Sequence, residues 1–481
     1  MSGATWLECS GCGASPPSDA PYPFACPDSG SGDVDHVLVR HLDPRGVRRD
    51  DVDRDRDRAD VDRDRADVDR DRDDVDPCGF VRFRRLMHSY HRARAAGVTD
   101  EDYVTLARRL DTAVAAVDGH GFSETPFARS DVLSEALGFE DAGGVWVKDE
   151  TGNVSGSHKG RHLMGVALHL EVAELAGLAD PAARRPLAVA SCGNAALAAA
   201  VVAAAAGRRL QVFVPADADD AVVAPLGALG ADVVSCERRP GEMGDPAYLR
   251  LLEALGDGAL PFSCQGNLNG LAIEGGETLG YEVAWQLAAA GLSADHLVVQ
   301  VGGGALATAC AQAFAEAAEL GVVGRTPALH TVQTSAAHPL ERAYRKVHAL
   351  LPPGTGATAD PGALRAALRE AARHRSQYMW PWETPPHSIA TGILDDETYD
   401  WLAVVKAMLA TGGQPVVVGE ERLAEANALA GKAGFDADET GTAGLAGLLE
   451  LVAGTSVAPG ERIIVLLTGA RRRPASSSLR A

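Results

Sequence analysis

The stretch VWVKDETGNVSGSHKGRHLMGVALHLEVAEL, residues 145–175, decides how the fold is read. It opens with a short β-branched run, which predicts a strand. A turn rich in glycine and serine follows, and an apolar run long enough for a helix comes after the turn. Lys159 stands where that helix is expected to begin.

The same alternation of strand and helix continues from Cys78 toward the carboxyl end. Apolar helical runs such as AALAAAVVAAAAG (195–207) separate the predicted strands. This alternation is typical of parallel sheets covered by helices, so the predicted fold class is α/β. Parallel sheets bind their ligands at the carboxyl ends of the strands. The predicted strands are VWVKDE (145–150), PLAVASCGN (186–194), LQVFVPA (210–216), ADVVSC (231–236), HLVVQVGGG (296–304), ALHTVQT (328–334) and RIIVLLTG (462–469).

Amine nucleophiles are scarce in this chain, because only five of its 45 basic residues are lysines. Lys159 is the lysine that follows a strand and a flexible turn, Ser155-Gly156-Ser157. The positive end of a helix dipole disfavours a charged lysine and favours the neutral amine that forms a Schiff base. Lys159 is therefore the candidate nucleophile.

Three further strand ends carry polar or glycine-rich turns. The turn from Ser191 to Asn194 offers an amide that can donate to a phenolate-like oxygen without carrying charge. Residues 302–306, GGGAL, open a helix whose backbone N–H groups can converge on a phosphate. Thr468 ends the last predicted strand, where its hydroxyl can meet a ring nitrogen. Each feature alone is common, but together with Lys159 they describe a cofactor with a carbonyl, a phosphate, an oxygen and a ring nitrogen.

Residues from about 80 to 475 resemble the fold type II pyridoxal phosphate (PLP) enzymes, the group of threonine synthase, threonine dehydratase and tryptophan synthase β subunit. The resemblance includes IEGGETLGYEVAWQL (273–287) and HSIATGI (387–393), which in that family runs close to the cofactor. Threonine synthase is the most similar member. The resemblance extends to the amino terminus, because bacterial threonine synthases often begin with a Cys-x-x-Cys-Gly ribbon. The resemblance implies two parallel-sheet α/β domains with PLP between them.

Roles for individual residues follow from the resemblance. Lys159 is expected to hold PLP as a Schiff base and to shuttle the substrate proton, while Asn194 binds the 3′-oxygen and Thr468 the pyridine nitrogen. The residues expected to cradle the phosphate are Gly302, Gly303, Gly304, Ala305 and Leu306. The residues expected to contact the substrate carboxylate, or to help seat the lysine, are Ser155, Gly156, Ser157 and Ser191.

The resemblance implies elimination or replacement chemistry on an amino acid, with conversion of O-phosphohomoserine to threonine as the leading activity. Another amino-acid ammonia-lyase, dehydratase or β-replacement enzyme is one alternative, and a catalytically silent PLP-fold binding protein is the other. A neutral hydroxyl at the ring nitrogen favours expulsion of a leaving group over transamination. The substrate stays open, because Ser157-His158-Lys159-Gly160-Arg161 and Arg471-Arg472-Arg473 depart from the pattern of the family.

The expected domain organisation has two α/β parts after an unusual amino-terminal region. That region contains a heptapeptide, ADVDRDR, repeated at 59–65 and 66–72, which predicts a solvated, disordered linker. The expected divisions are a zinc-ribbon-like segment at 1–45, the Asp/Arg linker at 46–77, a large PLP-binding domain at 78–165 and 290–475, a smaller α/β domain at 166–289, and a tail at 476–481.

The first segment carries part of a zinc-binding pattern. Cys9, Cys12 and Cys26 have the spacing of a zinc ribbon, but Ser29 stands where a fourth thiolate is expected. Three thiolates with a remote histidine or aspartate can hold zinc, and a degenerate ribbon without metal fits the same pattern. The sequence leaves both open.

Composition restricts the partners and the location. The 481 residues carry a formal net charge of -21, which repels phosphate backbones and anionic lipid, so neither nucleic acid nor membrane is an expected partner. The first ten residues lack a secretory signal pattern, and eight cysteines are too dilute for a disulfide scaffold. We therefore expect a cytoplasmic protein with reduced cysteines and a small amino-acid substrate. The resemblance implies a homodimer.

Overall fold

The computed structural model describes residues 4–30, 32–47, 49, 52–53, 76–218, 220–242, 244–352 and 360–472. The repeat at 59–72, Arg473 and the predicted tail at 476–481 lie outside these residues. Among the helices that are described, none has the length and hydropathy that a bilayer crossing requires.

Strands and helices alternate through most of the described chain. The strands are β1 (Thr5–Cys9), β2 (Leu38–Leu42), β3 (Phe127–Arg129), β4 (Gly144–Asp149), β5 (Leu187–Ala190), β6 (Leu210–Pro215), β7 (Asp232–Cys236), β8 (Leu260–Pro261), β9 (His296–Gln300), β10 (Ala328–Thr334), β11 (Pro415–Val418) and β12 (Arg462–Leu467). The helices are α1 (Gly79–Arg82), α2 (His88–Ala95), α3 (Asp100–Asp118), α4 (Asp131–Ala136), α5 (Lys159–Leu175), α6 (Asn194–Ala205), α7 (Asp220–Ala228), α8 (Pro246–Gly256), α9 (Ala272–Ala289), α10 (Ala305–Glu319), α11 (Pro339–His348), α12 (Pro361–Arg373), α13 (Trp401–Thr411), α14 (Glu420–Lys432) and α15 (Ala443–Ala453).

Two parallel sheets form the body of the molecule. One has six strands in the order β11-β10-β9-β12-β4-β3, and its pairs are parallel except for β3 with β4. The other has four parallel strands in the order β7-β6-β5-β8. Strands β1 and β2 pair antiparallel as a separate amino-terminal unit. The predicted α/β fold with two parallel sheets is confirmed.

All seven strands predicted from the sequence are present, and the structure adds β3, β8 and β11 to the two parallel sheets and β1 and β2 in the amino-terminal unit. Strands β3 and β8 have three and two residues, which is too short for hydrophobic periodicity to identify. The four-stranded sheet lies within the predicted smaller domain. The predicted boundary at 165 falls inside α5, so the helix continues across it, and the division into domains stays a prediction.

Helix α5 is central to the body, since it is buried on every side from Gly160 to Ala173. It crosses α9 at Gly165 and Gly275, where a Cβ on Gly165 would lie 2.7 Å from the Gly275 Cα. Only glycine allows two helix backbones to approach this closely. The crossing fixes α5, and with it Lys159, against α9.

Arg161 joins α5 to its surroundings through a fully buried ion-pair network. Its guanidinium donates to Glu150 (2.8 and 3.0 Å) and to Glu282 on α9 (2.6 and 3.0 Å). Lys148 on β4 also donates to Glu282, at 2.7 Å. Burial tends to raise the pKa of Glu282, but the charges of Arg161 and Lys148 outweigh it and lower this pKa to about 2.

We expect Arg161→Met to lower the free energy of unfolding by about 3–5 kcal/mol, because it leaves the buried Glu150 without a cationic partner and Glu282 with Lys148 alone. The control Arg239→Met removes a surface pair with Glu253 and should cost less than about 1 kcal/mol. Urea denaturation measures both. A loss in Arg161→Met no larger than in the control would contradict the central role of the network.

Candidate active site

Lys159 is the first residue of α5 and is half-buried. The turn before it contains two left-handed residues, Ser155 at φ +60° and Gly156 at φ +66°. A serine in this conformation costs energy, and such strain concentrates at functional sites. The Ser155 N–H donates to Asp118 at 2.9 Å, which helps to hold the turn. The predicted position of Lys159 at a helix start is confirmed.

The end of β12 is hydrogen-bonded to the lysine-bearing turn. The Ala470 N–H donates to the Gly156 carbonyl (2.8 Å), and Ser157 forms a bridge with Gly469. The backbone N–H and the Nδ1 of His158 lie 3.3 and 3.2 Å from the Thr468 carbonyl. Burial, together with the charge of Lys159, lowers the pKa of His158 well below its usual value. His158 is therefore neutral and binds the last strand to the start of α5.

Gln300 at the end of β9 positions the Thr468 hydroxyl. The Gln300 side-chain amide donates to Thr468 Oγ1 at 2.5 Å and to the Gly441 carbonyl at 3.0 Å. A hydroxyl that accepts from an amide keeps its own proton for another acceptor. Sequence analysis did not identify Gln300, because its role depends on the pairing of β9 with β12.

Asn194 is the first residue of α6, which follows β5 of the four-stranded sheet, and its side chain lies near the end of β12. Its Nδ2 would lie 2.9 Å from a Cβ on Gly469, and Arg472 donates to its Oδ1. Ser191 holds the turn before α6 by accepting from the Gly193 N–H at 3.2 Å. The structure therefore brings Asn194 to the end of β12, beside the turn that carries Lys159.

The glycine loop at 302–304 connects β9 to α10 and is covered by residues 393–400. A Cβ on Gly303 would lie 2.8 Å from the Tyr399 ring, and one on Gly302 would lie 3.1 Å from the Ile393 Cα and clash with the Asp395 carboxylate. Gly304 has φ +100°, a left-handed conformation that favours glycine. The surrounding residues therefore leave no space for side chains at Gly302 and Gly303. Ala305 and Leu306 begin α10, so the first N–H groups of that helix lie next to the loop.

The covering segment carries acidic residues that sequence analysis missed. Asp395 is half-buried beside Gly302, and burial raises its pKa to about 6 against the opposing influence of Lys159 and the Gly303 N–H. Burial also raises the pKa of Asp400, to about 7. The run DDETYD (395–400) directly after HSIATGI was the signal available in the sequence.

Residues 120–469 match the family of pyridoxal-phosphate dependent enzymes. The chain belongs to this family. Its cofactor is PLP, which these enzymes use as an electron sink for reactions at an amino-acid Cα. The match covers both sheets and the strand ends described above.

Several solved structures of PLP enzymes share the fold. A threonine deaminase of T.th. is 22% identical, with 76% of this chain and 98% of that chain covered at a TM-score of 0.53. Threonine deaminase isoform 2 of Solanum lycopersicum is 18% identical (78% and 91% covered, TM-score 0.54). Diaminopropionate ammonia lyase of Escherichia coli is 17% identical (77% and 89% covered, TM-score 0.54). None of these three is a threonine synthase. No curated protein matches the chain.

The arrangement of the site fits PLP. Within the described residues, four buried hydroxyls have no hydrogen-bond partner, those of Ser155, Ser157, Ser263 and Thr308. The first two belong to the turn before Lys159, and Thr308 lies in the first turn of α10 beside the glycine loop. Unpaired buried polar groups are costly unless a ligand satisfies them. The site therefore offers a lysine amine, a backbone cradle and hydroxyl donors in one place.

We expect Gly302→Ala to weaken PLP binding at least about tenfold, or roughly 1.4 kcal/mol, because the new methyl group pushes the loop away from residues 393–395. Titration of the apoprotein with PLP measures this affinity. The control is Gly324→Ala, where a Cβ would meet nothing within 4 Å. Equal affinities of the two variants would remove the glycine loop from the cofactor site.

Proposed function

We propose that the chain is a PLP-dependent lyase that removes a β substituent from a small amino acid and releases a keto acid and ammonia. The observation that carries this proposal is the position of the Thr468 hydroxyl. It lies at the end of β12, next to the turn before Lys159, and accepts a hydrogen bond from Gln300. PLP, when bound, supplies the electron sink for the pair left at Cα. The remaining steps belong to side chains of this chain.

Thr468 favours elimination because its hydroxyl can hydrogen-bond to the ring nitrogen but cannot keep that nitrogen protonated. With Gln300 donating to its oxygen, the Thr468 hydroxyl keeps its own proton and would donate it to an unprotonated ring nitrogen of bound PLP. A carboxylate at this position would keep the nitrogen protonated and favour transamination, whereas a hydroxyl does not. This geometry supports loss of a leaving group from Cβ.

Lys159 is the residue we assign to covalent attachment of PLP and to proton transfer. Lys159 would hold PLP covalently, and its amine, once free, would take the proton from the substrate Cα while the leaving group would depart from Cβ with its bonding electron pair. The Ser155–Ser157 turn is assigned to the substrate carboxylate, since the hydroxyls of Ser155 and Ser157 are buried and unpaired within the described residues. The unsaturated amine that is released hydrolyses in water to the keto acid and ammonia.

Acidic groups around the site favour a substrate whose side chain carries no negative charge. Asp395 borders the glycine loop and interacts electrostatically with Lys159. Asp396 follows it and is also half-buried, whereas the next residue, Glu397, is paired with Arg375. A phosphorylated side chain near these carboxylates would be repelled. We therefore favour a hydroxy or amino leaving group.

Conversion of O-phosphohomoserine to threonine is the second candidate, and Arg472 favours it. This side chain donates to Asn194, so a cation stands beside the residue assigned to the cofactor oxygen. A guanidinium is well suited to bind a phosphate. The two candidates differ in their products, keto acid and ammonia in one case and inorganic phosphate and threonine in the other.

We expect Lys159→Ala to abolish the visible absorption of the PLP Schiff base and to lower turnover by about 10²–10⁴-fold or more, because both the attachment point and the base are lost. Spectra before and after borohydride, with assays on serine, threonine, 2,3-diaminopropionate and O-phosphohomoserine, measure the two effects. Lys346→Ala is the matched control, since Lys346 lies on α11 beside Trp380.

The results of these assays distinguish three possible functions of the protein. Keto acid and ammonia from an uncharged or cationic amino acid support the elimination that we favour, and phosphate release from O-phosphohomoserine supports the second candidate. If the wild type shows no borohydride-sensitive band after addition of PLP, the chain is a catalytically silent member of the family.

We expect Asp395→Asn to raise kcat/KM for O-phosphohomoserine relative to threonine by about fivefold to tenfold at pH 8, with PLP saturating. The carboxyl, with a pKa of about 6, is ionised at that pH and repels the phosphorylated side chain. In the wild type the same ratio should rise as the pH falls through 6 and the carboxyl becomes protonated. The control is the exposed Glu383→Gln. An unchanged ratio would show that Asp395 does not face the substrate.

A further inference from the structure

Four potential metal ligands meet in the amino-terminal unit, outside the PLP site. The ligand atoms of Cys9, Cys12, Cys26 and His36 all lie within 4.8 Å of one another. Among the described residues, this is the one cluster of its kind. The sequence identified the three cysteines, with Ser29 in place of a fourth thiolate, and left open whether a remote histidine or aspartate completes the set. The structure supplies His36.

The pairing of β1 with β2 explains why His36 arrives there. Cys9, the last residue of β1, is paired with Leu38, the first residue of β2. His36 precedes Leu38 by two residues, so the chain enters β2 past the end of β1. The His36 Nδ1 consequently lies 3.7 Å from the Cys9 sulfur. A separation of 27 residues along the chain concealed this contact from sequence analysis.

The separations agree with the edges of a tetrahedral zinc site. With Zn–S and Zn–N bonds of roughly 2.3 and 2.05 Å, two sulfurs should lie about 3.8 Å apart, and a sulfur and a nitrogen about 3.6 Å apart. The Cys12 and Cys26 sulfurs are 3.5 Å apart, and Cys9 and His36 are separated by 3.7 Å. All three cysteines are free thiols.

Backbone N–H groups point at the sulfurs in the manner that thiolates need. The Asp28 N–H donates to the Cys26 sulfur at 3.4 Å. Backbone N–H groups of Gly11 and Cys12 face the Cys9 sulfur, and that of Ala14 faces the Cys12 sulfur. These donors stabilise negative charge on sulfur, which is the form that binds metal. The turns that carry the cysteines therefore favour the thiolate form, which can bind a metal ion.

We propose that Cys9, Cys12, Cys26 and His36 bind one zinc ion. Four protein ligands fill a tetrahedral coordination sphere and leave no position for substrate, so the site is structural. Cys9 and Cys26 are 1% and 2% exposed, whereas Cys12 is exposed and provides a route for the metal. The proposal stands independently of the reaction proposed for Lys159.

The zinc site also anchors one wall of the PLP site. Asp35, next to His36, accepts from the Trp401 indole at 3.1 Å, and its N–H donates to the Ala372 carbonyl at 2.8 Å. Trp401 follows Asp400, whose N–H donates to the Gly303 carbonyl at 2.9 Å. Loss of zinc therefore loosens the segment that covers the glycine loop and weakens PLP binding.

The first experiment measures zinc by elemental analysis in purified full-length holoenzyme. We expect about one zinc per chain in the wild type and in the control Ser29→Ala, and less than about 0.2 after dialysis of Cys12→Ser or His36→Ala. Unchanged zinc in His36→Ala would overturn the assignment of His36. No zinc in the wild type, even after zinc is added to the reduced protein, would overturn the site.

Two further measurements keep the proposal testable if a variant fails to fold. Cobalt substitution of the wild type should give the absorption of a tetrahedral thiolate complex, and an octahedral spectrum would overturn the ligand set. Mass spectrometry of the alkylated protein should find Cys12 and Cys26 as thiols, and a disulfide between them would overturn the site as well.

The contact between the zinc site and the PLP site is tested by measuring PLP affinity with and without zinc. Removing zinc from the wild type with a chelator should weaken PLP binding by about threefold to tenfold and leave the borohydride-sensitive band intact at saturating PLP. An unchanged PLP affinity would overturn the link. Because zinc content is measured without substrate, its outcome is distinguishable from a failure of the proposed lyase activity.

Discussion

The buried guanidinium of Arg161 is the constraint on which the rest of the structure depends. Two residues after Lys159, it joins α5 to Glu150 after β4 and to Glu282 on α9, and none of these three side chains is more than 1% exposed. Charges placed this deep are stable only when every partner is present. The helix that carries Lys159 therefore has one position relative to the six-stranded sheet, and the Gly165–Gly275 crossing reinforces it.

Around that fixed helix, the ends of strands from both sheets converge. The end of β12 bonds directly to the lysine-bearing turn, and Asn194 reaches it from the four-stranded sheet. Gln300 donates to the hydroxyl of Thr468, and His158 contacts the carbonyl of the same residue. Neutral hydrogen-bonding groups hold Thr468, whereas Asp118 holds the turn before Lys159 and further acidic residues lie on the covering segment at 395–400.

The amino-terminal unit packs against the two-sheet body through buried polar contacts. Arg40 on β2 is buried between Glu277 of α9 and Glu316 of α10, so the unit packs on the same helix that fixes α5. Asp35 extends the contact to Trp401 and the wall of the glycine loop. These contacts connect the amino-terminal unit, which carries the proposed zinc ligands, to α9, α10 and the wall of the glycine loop.

The sequence by itself determined the α/β class, seven strands and the position of Lys159 at a helix start, because hydrophobic periodicity and glycine-rich turns are local properties. Family membership also followed, since the strand ends occur in a recognisable order. Only the tertiary structure decided that Gln300 orients Thr468, that Asp395 borders the glycine loop and that His36 joins the three cysteines. Each of these contacts joins residues far apart in the chain, and strand pairing and burial bring them together.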